Sequence, residues 1–139
     1  MKQFSRLSKR AIGILIMLGV QYLLGMWANI YVTFPKTKVS GKLWEYAWHQ
    51  IPIALHILLA FGLLISSLIL LSQAYKNNSV TWKIPALVGF CAILFAGFGG
   101  AAFIDQQSPV YSYVMATAFL IALGSYLWGL IADSSKKVS

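Results

Sequence analysis

Charge is what this sequence has least of. Only 10% of its 139 residues are charged, and three of them are acidic; a soluble domain carries about 25%. With 59% hydrophobic residues, a water-soluble fold would have no place for its apolar surface. Cysteine is nearly absent as well. Cys91 stands alone, which excludes an intrachain disulfide and C-x-x-C redox chemistry. It lies in an apolar run and reads as a small packing residue. The two histidines, His49 and His56, have no cysteine or carboxylate at ligand spacing, so a zinc site is excluded. No hydrolase triad or phosphate loop is present. No Asp, Glu, Lys or Arg falls in the middle of an apolar run. Proton exchange on a membrane-embedded carboxylate is therefore not expected.

What is there is a set of long, continuous apolar runs. They cover about residues 11–34, 48–75, 84–104 and 110–132. A helix needs roughly 20 apolar residues to cross a bilayer, and lipid leaves no unpaired backbone group satisfied. The expected fold is all-α: one integral membrane four-helix bundle over residues 1–139, up-down-up-down, with the lipid bilayer as its solvent. Pro35, Asn77-Asn78 and Pro109 punctuate the gaps, as turn residues should.

The basic residues are unevenly divided. Lys2, Arg6, Lys9, Arg10, Lys76, Lys83, Lys136 and Lys137 fall on one side, and Lys36, Lys38 and Lys42 on the other. The positive-inside rule then puts both termini in the cytoplasm, in a membrane of the bacterial plasma-membrane type. Trp27, Trp44, Trp48, Trp82 and Trp128 lie near span ends and suggest an interfacial aromatic belt. The net charge of +8 reads as orientation and attraction to anionic headgroups; no nucleic-acid motif accompanies it. The first apolar run exceeds the 7–15 residues of a signal-peptide core and no A-x-A-like site follows, so it reads as a retained helix.

Polar residues at membrane depth are few. Gln21, Gly25 and Asn29 recur every four residues on the first helix, and His49 and His56 are seven apart on the second, so each set should share a face. His56 should lie about 12 Å along its helix, the only deeply placed ionisable group. It has two readings. Its ring is a metal or haem ligand, with Gly25, Ala60, Ala96, Gly99 and Gly100 leaving a slot for a flat porphyrin and Lys36, Lys38 and Lys42 near its propionates. Alternatively, it hydrogen-bonds to Gln21, Asn29 or a carbonyl and ties helices together.

Gln21-Tyr-Leu-Leu-Gly25 resembles the Q-x-x-L-G helix of the haem A synthase family. His56-Ile-Leu-Leu-Ala60 resembles that family's H-x-x-x-A helix, and Ala96–Ala101 its glycine-rich helix. The resemblance covers one four-helix half of the family and implies that His56 is a ligand of haem b. It also implies an opposing ligand on the last helix. The family has a histidine there; this chain has Tyr111-Ser-Tyr-Val-Met115-Ala. The paired loop cysteines are absent too, so haem A synthase activity itself is not expected. Met115 is the candidate sixth ligand, by His/Met ligation; a five-coordinate iron and a scaffold that keeps the packing without haem are the other options. The chain also resembles small four-span bacterial membrane proteins.

Three functions follow. The first is a b-type haem protein in electron transfer, haem handling or sensing, with a membrane redox partner. The second is a non-catalytic accessory subunit of a membrane complex, docking through a lipid-facing stripe Ala92-Ala96-Gly100. The third is a small transporter or lipophilic-ligand binder, as a homo-oligomer, with a cavity lined by Gln21, Asn29 and His56.

Overall fold

The computed structural model of the chain describes residues 5–35 and 40–136. Lys2, Lys36, Lys38 and Lys137 lie outside the described residues. The chain forms α1 (Arg6–Tyr31), α2 (Ser40–His49), α3 (Ile51–Lys76), α4 (Val80–Gln106) and α5 (Pro109–Ser135), with no strand among the described residues. The four long helices have 26 or 27 residues each, or about 40 Å at 1.5 Å per residue. That is ample for a hydrocarbon core of roughly 30 Å. Each is apolar enough to cross a membrane. Large side chains such as Leu23, Phe61, Phe95 and Leu120 are about two-thirds exposed. Lipid, not water, is the solvent that tolerates them. The protein is an all-α, multi-pass membrane protein.

The helix ends follow local chemistry. Ser5 caps α1, its Oγ accepting from the Ser8 amide at 3.1 Å, as N-cap serines do. The first span ends at Tyr31, not Phe34: Val32 is already extended, and Pro35 disfavours a helical Phe34 before it. Asn78 (φ 49°) and Gln107 (φ 51°) turn the chain between α3 and α4 and between α4 and α5. Asparagine is one of the few residues that enters this left-handed region readily. Pro109 opens α5, where its missing N–H costs nothing.

Two boundaries beside a proline differ from the sequence expectation. The second span does not start at Trp48. Gln50 is extended and α3 starts at Ile51, because Pro52 cannot donate to the Trp48 carbonyl. His49 and His56 therefore sit on different helices and share no face. His56 lies five residues into α3, about 8 Å from its start, not 12 Å. In α4 the helix runs through Pro85 and starts earlier, at Val80. The Pro85 carbonyl accepts a hydrogen bond from Ser125 Oγ of α5 at 2.6 Å, which ties the two helices together at this point.

The long helices pack in a ring, α1 on α3, α3 on α4, α4 on α5 and, least extensively, α5 on α1. Tyr22 of α1 and Phe119 of α5 stack at 5.7 Å across that last contact. At one end, Asp133 near the close of α5 accepts from Ser5 Oγ (2.8 Å) and Ser8 Oγ (2.5 Å) at the start of α1. This places a carboxylate at the positive end of the α1 dipole. At the other end, Trp44 Nε1 of α2 donates to Asp105 of α4 at 2.8 Å.

The core is densest near the first of these ends. Ala11, Ile14 and Leu18, Leu63 and Leu70, Trp82 and Ala86, and Ala122 and Tyr126 are all buried there. Trp82 is fully buried, so it does not join the aromatic belt expected for it; Trp27, Trp48 and Trp128 are about half exposed. Trp82 lies on Gly129, where a Cβ would come within 2.5 Å of its ring. Reciprocally, Tyr126 of α5 lies on Gly89 of α4, where a Cβ would approach to 2.4 Å. Small residues let membrane helices approach closely, and here each glycine receives the other helix's largest buried side chain.

Candidate functional site

α2 roofs the far end. Leu43 and Ala47, one turn apart on its inward face, are buried with Ile53 of α3 and Ile104 of α4. Phe34 packs beside them, edge-on to Phe103 at 5.8 Å, and Tyr46 OH donates to the Thr33 carbonyl at 2.9 Å. His49 bonds its own helix, Nδ1 lying 2.7 Å from the Glu45 carbonyl. A short helix with one apolar face and one polar face suits the membrane interface. Its outward face carries Lys42, which is exposed.

Directly beneath this roof, α1 and α3 meet through polar groups. Gln21 Nε2 donates to the main-chain carbonyl of His56 at 3.1 Å. One turn along α1, Gly25 faces the imidazole: a Cβ there would lie 3.2 Å from His56 Cε1 and 3.6 Å from Nδ1. The hydrogen bond therefore reaches the backbone of His56 and leaves its ring free. His56 Nδ1 and Gln21 Oε1 are both enclosed and make no hydrogen bond. An enclosed polar atom without a partner costs roughly 1–3 kcal/mol, and such atoms in a native fold call for a cause. The α4–α5 seam holds two such atoms as well, Trp82 Nε1 and Tyr126 OH; what sets the α1–α3 contact apart is that its pair includes an imidazole nitrogen, a group able to bind a metal. Asn29, a further turn on, is exposed; the inward position of that turn belongs to Ala28, which packs toward Leu43 and Ala47.

Met115 is elsewhere. A Cβ at Gly99 would lie 3.2 Å from Met115 Cγ, and one at Gly100 3.4 Å from its sulfur. The thioether thus rests in a notch of α4, on the seam that holds Trp82 and Tyr126. Two groups of expected site residues emerge: Gln21, Gly25 and His56 at α1–α3, and Gly99, Gly100 and Met115 at α4–α5. Helices α3 and α5 stand across the ring from one another and are not neighbours in it. The stripe Ala92-Ala96-Gly100 also turns out differently from expectation. Ala92 is buried and Gly100 lies under Met115, so at these two positions the stripe is not open to lipid. The reason is register: α5 offers Met115 where α4 offers its smallest residues.

Among the described residues no group of three or more His, Cys, Asp or Glu could hold a metal ion. Any metal at His56 must therefore bring most of its own ligands, as a porphyrin does. A neutral imidazole with a free ring nitrogen is chemically suited to be an axial ligand of haem iron, and Gly25 leaves the ring without a side chain beside it. Of the cations that would meet propionates, Lys42 is in place at this end, and Lys36 and Lys38 lie outside the described residues.

No protein family, curated protein or solved structure matches the chain. The functional reading therefore stands on these residues.

Proposed function

We propose that this is a b-type haem-binding protein of a bacterial-type plasma membrane, with His56 as the axial ligand and the α1–α3 contact as the binding site. The observation that carries the reading is the enclosed, unpartnered imidazole nitrogen of His56 facing Gly25. Gln21 holds the α3 backbone at this point and so fixes where the ring starts. Haem b supplies one-electron chemistry at iron when bound. The protein residues hold and orient it: His56 ligates, Gly25 and Ala60 leave space, and Lys42 offers charge near the surface. With Met115 seated on Gly99 and Gly100, His56 is the only protein ligand in this reading. The basic end, carrying Arg6, Lys9, Arg10, Lys76 and Lys83, faces the cytoplasm, so the His56 end faces outward.

Titration of the detergent-purified protein with hemin tests this. Saturable uptake with a Soret shift, abolished in His56→Ala and kept in His49→Ala, is the expected result. Equal uptake by wild type and His56→Ala overturns it.

A second reading, an accessory subunit, is favoured by a different feature. An almost wholly apolar groove of about 560 Å³ runs along the outer side of α4 and α5, lined by Leu87, Cys91, Phe95, Tyr113, Thr117 and Ile121 among others. A colourless protein that co-purifies with a second membrane subunit, losing it on Cys91→Trp, would favour this reading over haem.

A further inference from the structure

At the opposite end from His56, α1 and α3 enclose a second kind of site. A cleft of about 660 Å³ is lined by Arg6, Lys9 and Arg10 from the first turns of α1 and by Gln73, Lys76 and Asn77 from the last turn of α3. Four cations from two helices face one space. The only acid described at this end, Asp133, is engaged by Ser5 and Ser8. Among the described residues no carboxylate pairs with Arg6, Lys9, Arg10 or Lys76. Lys83, the other described cation flanking the α3–α4 turn, is turned away onto Asn78 and the Tyr75 ring.

Like charges placed together without counter-charge repel, so an anion would stabilise the cluster. Its position says which kind. Arg6 begins α1 and Lys76 ends α3, which puts the cleft at the level of the headgroup phosphates when these helices span the bilayer. Gln73 and Asn77 add amide donors, and the amino end of α1 adds its partial positive charge. Basic pockets between membrane helices on the cytoplasmic side are a recurring way of holding anionic headgroups.

We propose that this cleft is a specific site for an anionic phospholipid, with its phosphate held between Arg6, Lys9 and Arg10 of α1 and Lys76 of α3. The count of four cations favours a lipid with two phosphates over one with a single phosphate. The site rests on the four helices being membrane spans and is independent of any group at His56.

Native mass spectrometry of the delipidated full chain tests it, with added two-phosphate anionic lipid, one-phosphate anionic lipid, phosphatidylcholine and inorganic phosphate. Affinity should fall in that order for the three lipids, and inorganic phosphate should not compete at millimolar concentration. Each cation near the surface is worth about fivefold in affinity, so Arg6→Gln/Arg10→Gln/Lys76→Gln should bind the two-phosphate lipid about a hundredfold more weakly. Lys42→Gln, at the far end, should bind as wild type does. Wild-type binding should also weaken steeply with salt, which tests the idea without any variant. Equal binding of phosphatidylcholine, salt-independent binding, or an unaffected triple variant would each overturn the proposal. Competition by inorganic phosphate would reassign the site to a free anion and so overturn the lipid assignment.

Discussion

A methyl group added at Gly89 or Gly129, on the α4–α5 seam, would come within 2.4 or 2.5 Å of an aromatic ring. The same methyl at Gly25, on the α1–α3 contact, would stop 3.2 Å from the nearest atom of His56. Both contacts use one device, a glycine beneath a large side chain, but the first has no space for a methyl group and the second would need only a small shift of the imidazole. The α4–α5 seam is filled by Trp82 and Tyr126, each fully buried. The α1–α3 contact is filled by a half-buried imidazole and an amide, and each of the two contacts encloses two unpartnered polar atoms. Dense packing of the first kind fixes a helix pair. The α1–α3 contact is polar and less tight than the seam, and it lies under the short roof of α2. The bundle thus divides into a rigid pair and an adaptable pair.

Substitutions can break that division, and the largest effects belong to the rigid pair. Gly89→Ala or Gly129→Ala should each lower stability by about 3 kcal/mol, since overpacking outweighs the helix propensity gained. Thermal unfolding in detergent measures this, and unchanged midpoints would mean that the seam is not tight. Met115→Ala should cost about 1 kcal/mol, less than a fully buried methionine, and should leave hemin uptake intact. Loss of hemin in that variant would restore Met115 as a ligand and erase the distinction between the two pairs. Gly25→Ala is the counterpart on the adaptable side. The gain in helix propensity, up to about 1 kcal/mol, roughly offsets the crowding of the ring, so stability should hardly change while hemin uptake weakens. Smallest of all, Trp44→Phe removes the exposed hydrogen bond to Asp105 and should cost about 0.5 kcal/mol, visible as faster amide exchange confined to α2.

Much of the fold was legible in the sequence because lipid imposes length and continuity on every span. Pro35, Asn77-Asn78 and Pro109 marked the gaps. Helix α2 was not seen, since ten residues fall below any span criterion. Its signal was the pair Leu43 and Ala47, four apart between polar residues. Pro52 should also have cut His49 from His56, because a proline cannot close the turn behind it. The contact of Gln21 and Gly25 with His56 was readable from their spacing on α1. The place of Met115 was not. Helix α4 is apolar on nearly every face, and such a helix has no preferred side to present; only its register against α5 decides that Gly99 and Gly100 receive Met115 and Gly129 receives Trp82. The same lack of pattern hid Trp82, whose position near a span end matched an interfacial anchor.

The most direct test of the account is the dithionite-reduced minus oxidised spectrum of the protein after hemin addition, recorded side by side for wild type, His56→Ala and Met115→Ala. Sharp reduced bands are expected in wild type and in Met115→Ala, and none in His56→Ala. No bands in any of the three, or bands that survive in His56→Ala, would contradict it.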